Sequence, residues 1–526
     1  MITKMLLQIF AAWILGDIIL LALLPPTLEN MNFIPRLLVL ASLTASFVVA
    51  VAAQQPLGLR DVTASLEVSK VGLQTTNLVL IKQIAERGVS FEINAESERA
   101  IRGSGGTDAL VMSIRVSICQ TFLAKAEKCE KDDHACQLPH YDQALLAHPG
   151  DANVLVDRGV TRYRLGDLDG SISDYTAAIK IDPKDALALG NRALAYGKKG
   201  EDSLALADYD SAIALTPKES DYHFNRAVIR FERKEYDLAI KDYSNYISMK
   251  PSDADAYNNR GEAYVEKKMY AQAIKDLTKA ISLRPDLTDA FVMRGRANSA
   301  AGRLDLALRD FDAALKLDAN NTYALHNRGY AQFRNEKYDL AIADYSRAIE
   351  LEPTAELLKD RADAFFALKN YERALGDYNK AIDLDPKDAL AFFYRAATHA
   401  ERKDYEEAIV DYTKSLELDP TDSNAYSGRG WILVEIEDYP NALKDYNKAI
   451  ELDAKDGSAF TNRGLIYLRM ERYTESIADS TTAIKLDPTE PTAFGNRAYA
   501  YEQIGEMKKA AADKKQAEAL EKKRKP

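Results

Sequence analysis

ALALGNRALAYGKKGEDSLALADYDSAIALTPKE, residues 186–219, carries two apolar stripes of helical spacing separated by the polar segment GKKGED at 197–202. The pattern predicts a helix, a tight turn and a second helix. Its Arg192 and Asp208 stand sixteen residues apart, and the same pair recurs along the chain. The others are Arg158 and Asp174, Arg226 and Asp242, Arg260 and Asp276, Arg294 and Asp310, and Arg328 and Asp344. Then come Arg361 and Asp377, Arg395 and Asp411, Arg429 and Asp445, Arg463 and Asp479, and Arg497 and Asp513. Nine of the ten intervals between these arginines are 34 residues and one, before Arg361, is 33. A fixed period of this size predicts eleven stacked helix-turn-helix units over 152–520, each touching only its neighbours. Such an array presents surface to a partner rather than a pocket for chemistry.

With Ala186 as place 1 of its unit, other places follow the same rule. Place 8 is always small, from Gly159 and Ala193 to Gly464 and Ala498. Place 20 is alanine in most units, and place 24 is mostly aromatic, as in Tyr209, Tyr243, Phe311, Tyr345 and Tyr446. Small residues let the two helices approach, and the aromatic ring fills the space between them. Proline at place 32, as in Pro183, Pro217 and Pro251, ends the second helix because it disfavours helix in the residue before it.

This set of small, small, aromatic and proline at a 34-residue period resembles the tetratricopeptide repeat family. The resemblance implies an all-α superhelical solenoid whose first helices line a concave groove, with places 2, 5, 6, 9, 12 and 13 commonly facing it. Carried over by place, asparagine at place 6 (Asn191, Asn225, Asn259, Asn327, Asn462, Asn496) implies a ladder that donates to and accepts from the backbone of an extended peptide. Phe224, Tyr330, Phe393, Trp431 and Tyr499 supply apolar anchors if exposed. The acids Asp221, Asp255, Asp289, Glu232, Glu262 and Glu266 gather in the middle units, which points to an apolar and basic peptide. The lysine and asparagine set that clamps acidic peptide termini in some members is absent, since Gly190 and Phe224 stand at place 5 and Leu194 and Val228 at place 9.

The Arg/Asp ladder reads as scaffold, because the same charge in every unit cannot select one ligand. The aspartate has two partners within reach, the arginine of its own unit and that of the next, eighteen residues on.

The 526-residue chain has a net charge of −11, from 80 acids and 69 bases, which argues against non-specific nucleic-acid binding. No HExxH, GxxxxGK, GxSxG or GxGxxG pattern stands in its required context, so the chain is read as non-enzymatic, without cofactor or metal. Its three cysteines lie between 119 and 136. Cys129 and Cys136 are candidates for a disulfide if the chain is exported, whereas Cys129, His134, Cys136 and His140 match no established zinc spacing.

Two apolar segments open the chain. Residues 5–24 are long enough to span a bilayer, but Asp17 costs about 2.5–3.5 kcal/mol near the middle. Residues 31–53 have the basic, apolar and small-residue zones of a signal peptide ending near Ala53, which would make residues 1–30 an upstream extension. Either the chain is exported to the periplasm, or residues 5–24 and 33–53 anchor it in the membrane with the repeats on the cytoplasmic side. A small helical module is expected over 70–117, with helices at 76–87, 94–102 and 109–118 and a break at 103–106. A degenerate repeat follows at 118–151, and a basic tail closes the chain at 521–526. The function expected is a protein-binding adaptor of the cell envelope, holding an extended segment in its groove. The alternative is a membrane-tethered scaffold that assembles a complex in the cytoplasm.

Overall fold

The computed structural model describes residue 84 and residues 89–524. The segments 5–24 and 31–53, the helix expected over 76–87 apart from Ile84, and the last two residues of the tail lie outside the described residues. Within them, every one of the 25 regular elements is a helix. The chain forms two compact units that divide between Met293 and Arg294, inside helix Thr288–Ala300.

In the first unit the helix Ala95–Gly103 starts with Asn94 as its N-cap, and the chain breaks at 104–107. The following helix runs over Asp108–Ala126, beyond the end expected at 118. It pairs with helix His134–Ala147, so the line drawn at 117/118 between a module and a degenerate repeat falls inside one element. Asp108–Ala126 is long and apolar enough to cross a membrane, yet its Leu110, Val111, Ile114 and Ile118 are buried in one core with Leu145, Val154 and Tyr175. Helix pairs then repeat through both units, typically a first helix of 13 residues and a second of 14, as in Ala254–Glu266 with Tyr270–Leu283.

Local chemistry sets each helix boundary. First helices commonly start on a capping oxygen at the end of the preceding turn: Asp185 accepts from Ala188, Asn321 from Ala324 and Asp388 from Ala391. Each first helix ends with a left-handed residue at place 15, which turns the chain into the second helix. Four of these are glycine (Gly166, Gly200, Gly302, Gly505); the other seven are lysine or glutamate, including Lys234 at φ 62° and Glu437 at φ 64°. A side chain in this conformation is strained, whereas glycine is not. Replacing Glu437 by glycine is therefore expected to raise stability by about 0.5–1 kcal/mol in denaturant unfolding; a loss would show that the side chain contributes more than the strain costs.

The deletion before Arg361 is absorbed in a turn. Second helix Tyr338–Leu351 and first helix Ala355–Ala367 keep their usual 14 and 13 residues, and Thr354 directly after Pro353 caps the latter.

Small residues and rings interlock as their places predict. A Cβ added to Gly159 would lie 2.6 Å from the Tyr175 ring, and one on Gly295 would lie 2.5 Å from Phe311. Three units lack the ring, with Leu277, Ser480 and Lys514 at place 24, and the one with Ser480 buries a second hydroxyl as well. Ser480 stands at the aromatic place and Ser476 at place 20, both fully buried, and neither hydroxyl has a hydrogen-bond partner. Alanine fills place 20 in most units, so Ser476→Ala is expected to stabilise the array by about 1 kcal/mol, because it removes a buried polar group that gains nothing in return. Calorimetry reads this as a higher Tm; a lower Tm would mean that the hydroxyl is satisfied in solution.

Candidate peptide-binding face

The arginine at place 7 lies mid-way along the first helix and the aspartate at place 23 mid-way along the second, so antiparallel packing brings them level. In all eleven units the guanidinium donates from both Nε and Nη2 to the carboxylate of its own unit, at 2.6–3.2 Å. The aspartate side chains are 1–11% exposed and the arginines 12–24%. This fork-on-carboxylate geometry is the strong form of the ion pair. At Arg429 the hydrogen bonds donated to Asp445 outweigh burial and hold the guanidinium above its ordinary range, so it stays charged.

A link between units does exist, but it runs through a residue the sequence reading did not single out. The remaining arm, Nη1, reaches the residue at place 25 of the preceding unit at 2.5–3.1 Å: Asp142, Thr176, Asp210, Ser244, Asp312, Ser346, Asn379, Thr413, Asn447 and Thr481. Every one of these is a short side chain bearing an oxygen acceptor. That regularity is visible in the sequence once place 25 is tabulated.

The proposed groove residues divide into two groups. Phe224 and Phe393 are 8% and 2% exposed, so neither meets the condition set for an anchor. Phe224 packs on Tyr246 at 4.9 Å between ring centres, and Phe393 packs on Tyr394 and Tyr412 at 5.2 and 5.6 Å. Tyr330 and Trp431 are partly exposed, the latter edge-on to Tyr405, and Tyr499 is 49% exposed.

The asparagines do not form an open row. Asn191, Asn462 and Asn496 are buried. Asn225 and Asn259 act on the phenols of Tyr209 and Tyr243 in the preceding units, opposing the rise that burial imposes on them. Asn327 Nδ2 donates to the Tyr323 carbonyl at 2.7 Å, and Asn496 Nδ2 donates to that of Thr461 at 3.1 Å. Asn327 and Asn496 thus use their amides within the protein, whereas the buried Asn191 Nδ2 has no hydrogen-bond partner among the described residues.

In the first unit burial pushes the Tyr236 and Tyr243 phenols up, helped by Glu266 and Glu262 at Tyr236 and by Glu262 and Glu232 at Tyr243. In the second unit, at the shortened repeat, place 6 carries Asp360, which meets His326 Nε2 at 2.6 Å. Beside it the Tyr378 hydroxyl donates to Asp363, and Lys359 pairs with Asp388.

The second unit also holds a cleft of about 610 Å³ where the first helices Ser423–Glu435 and Gly457–Arg469 begin. Ser423, Asn424, Ser427, Ser458, Thr461 and Asn462 line it, with Asp453, Asp456, Asp487 and Glu490 against one lysine, Lys455. Ser427 is 6% exposed, and its hydroxyl has no hydrogen-bond partner. Of the asparagine ladder, only Asn462 lines this cleft. At the other end of the chain a Cys129–Cys136 disulfide ties the turn after helix Asp108–Ala126 to the first turn of helix His134–Ala147. The donor atoms of Cys129, Cys136 and His140 lie within 4.8 Å of one another, but the disulfide takes up both sulfurs, and His134 Nδ1 lies 3.0 Å from the Gln137 amide oxygen.

Three tetratricopeptide repeat models match the chain: one at 254–287 and 322–354, a second at 191–247, 359–423 and 461–521, and a third at 159–200, 227–268 and 430–471. Together they cover more than half of it. The chain belongs to the tetratricopeptide repeat family, and its fold is that of a protein-interaction scaffold. No curated protein sequence matches it.

Among solved structures it is similar to a tetratricopeptide repeat protein from Parabacteroides merdae, at 23% identity over 47% of this chain and 98% of that one, with a TM-score of 0.40. The APC/C hetero-tetramer Cut9–Hcn1 matches at 16% identity over 84% and 98%, TM-score 0.39. YrrB, described as a TPR protein with an unusual peptide-binding site, matches at 23% over 35% and 95%, TM-score 0.31.

Proposed function

We propose that this chain is a non-enzymatic adaptor of the cell envelope that holds an extended, apolar and basic segment of a partner protein. The observation that carries the reading is the cleft at the start of Ser423–Glu435 and Gly457–Arg469. Its lining gathers four carboxylates, Asp453, Asp456, Asp487 and Glu490, with one lysine, Lys455, which suits a basic segment. Trp431 lies one turn beyond Ser427 on the same helix, so an apolar side chain entering beside the cleft meets an aromatic surface. The Cys129–Cys136 disulfide supports export, since such bonds persist in oxidising compartments.

Fluorescence anisotropy with extended peptides of opposite charge tests the binding. Basic, apolar peptides are expected to bind, to weaken at high salt, and to lose about tenfold in affinity with Trp431→Ala or with Asp456→Asn, which keeps the helix cap. Salt-independent capture of an acidic peptide would overturn the reading. N-terminal sequencing of the mature protein tests the location: a start at Ala53 or Gln54 supports export. An intact Met1 supports the alternative, a scaffold anchored through residues 5–24 and 33–53 with its repeats in the cytoplasm.

A further inference from the structure

We propose that Cys119, His148 and Asp151 form a binding site for a thiophilic divalent cation of the zinc class. Each comes from a different element: Cys119 from helix Asp108–Ala126, His148 from the C-cap of His134–Ala147, and Asp151 from the N-cap of Ala152–Arg164. One donor atom from each lies within 4.8 Å of the other two. Sulfur, imidazole nitrogen and carboxylate oxygen make up a donor set that zinc accepts, and three protein ligands leave a fourth position for water.

The geometry at His148 is the second observation. Its Nδ1 is buried and has no hydrogen-bond partner among the described residues. The nearest Asp151 oxygen, Oδ2, is 3.4 Å away. That is long for a charge-assisted hydrogen bond, which spans about 2.7–2.9 Å. It is close to the edge of a tetrahedron with bonds of about 2.0–2.2 Å, which measures roughly 3.3–3.6 Å.

Asp151 divides its two oxygens accordingly. Oδ1 accepts from the backbone amides of Asn153 and Val154 at 3.1 and 3.3 Å, while Oδ2 faces the imidazole. Cys119 is 2% exposed and takes no part in the disulfide. Burial and the Asp151 carboxylate push its thiol up to about 11, so without a cation it holds its proton. Binding would break the S–H bond, form a sulfur–metal bond and release that proton to solvent. The nearby group of Cys129, Cys136 and His140 offers no such chemistry, because the disulfide consumes both sulfurs. A cation here would join the helices that precede the array to its first repeat.

Cobalt(II) added to the chelator-treated full chain tests the site. One equivalent is expected to bind with a thiolate-to-cobalt charge-transfer band and release of one proton at neutral pH, and zinc is expected to displace it. Cys119→Ser should abolish the band, and His148→Ala should weaken binding at least about tenfold. If Cys119→Ser does not fold, His148→Ala, at a partly exposed position, decides alone. The Cys129→Ser/Cys136→Ser variant should retain the band. No band at one equivalent, a band unchanged in both ligand variants, or its loss with the disulfide would each overturn the assignment.

Discussion

Arg294→Met is expected to lower the stability of the array by about 3–5 kcal/mol, and adding Asp310→Leu to recover a large part of that loss. Asp310 is 6% exposed and accepts from Arg294 Nε at 3.1 and 3.2 Å, from Nη2 at 2.6 Å and from Asn298 Nδ2 at 3.0 Å. Removing the guanidinium leaves a buried carboxylate with one neutral donor, and desolvating an unpaired charge costs more than the pair gains. Replacing both groups by apolar side chains of similar size removes the charge from the interior and leaves the Asn298 amide without its carboxylate. Denaturant unfolding of the two variants, with hydrogen exchange to locate the change, distinguishes this from a surface pair. Equal losses in the single and double variants would mean that solvent screens the ion pair and that its burial counts for little.

Phe393→Ala is expected to cost about 3–5 kcal/mol in stability, while Tyr499→Ala stays within about 0.5 kcal/mol. Both were assigned to the groove by place, but Phe393 fills space among Tyr394, Tyr412 and the alanines of its unit, whereas half of Tyr499 faces solvent. Truncating the first leaves a cavity in the packed interior; truncating the second removes surface that only a partner would cover. A Phe393→Ala variant that keeps its Tm would return that residue to the list of anchors.

The fold was legible because each packing decision is repeated eleven times, so places 7, 8, 23 and 24 stood out against residues that vary. The shortened interval before Arg361 was legible too, because arginine serves as a ruler, and the missing residue lies in the turn at Pro353 and Thr354. The end of Asp108–Ala126 was not. The apolar run continues through Cys119, Phe122 and Leu123 without a breaker, and only the turn after Ala126 stops it.

The candidate site was less legible for a physical reason. A place number says which way a side chain leaves its own helix, not what the neighbouring unit puts against it. Tyr246 covers Phe224, and Asn225 acts on the Tyr209 phenol of the preceding unit. The cleft beside Asn462 arises from small residues, Ser427 at place 5 of one unit and Gly457 and Ser458 at the start of the next, which no rule of period marks as binding.

The third arm of each arginine bears on how the molecule comes apart. In a stacked array, unfolding cooperativity depends on the balance between the free energy inside a unit and that between neighbours. Here one side chain contributes to both: Arg395 holds Asp411 within its unit and Asn379 in the unit before. Losing it weakens a unit and uncouples it from its predecessor at once, so the repeats on either side of it would unfold less cooperatively. Aspartate acceptors such as Asp142, Asp210 and Asp312 make some of these joints sensitive to ionic strength, while hydroxyl and amide acceptors leave others indifferent to it. Added salt would therefore choose where fraying begins.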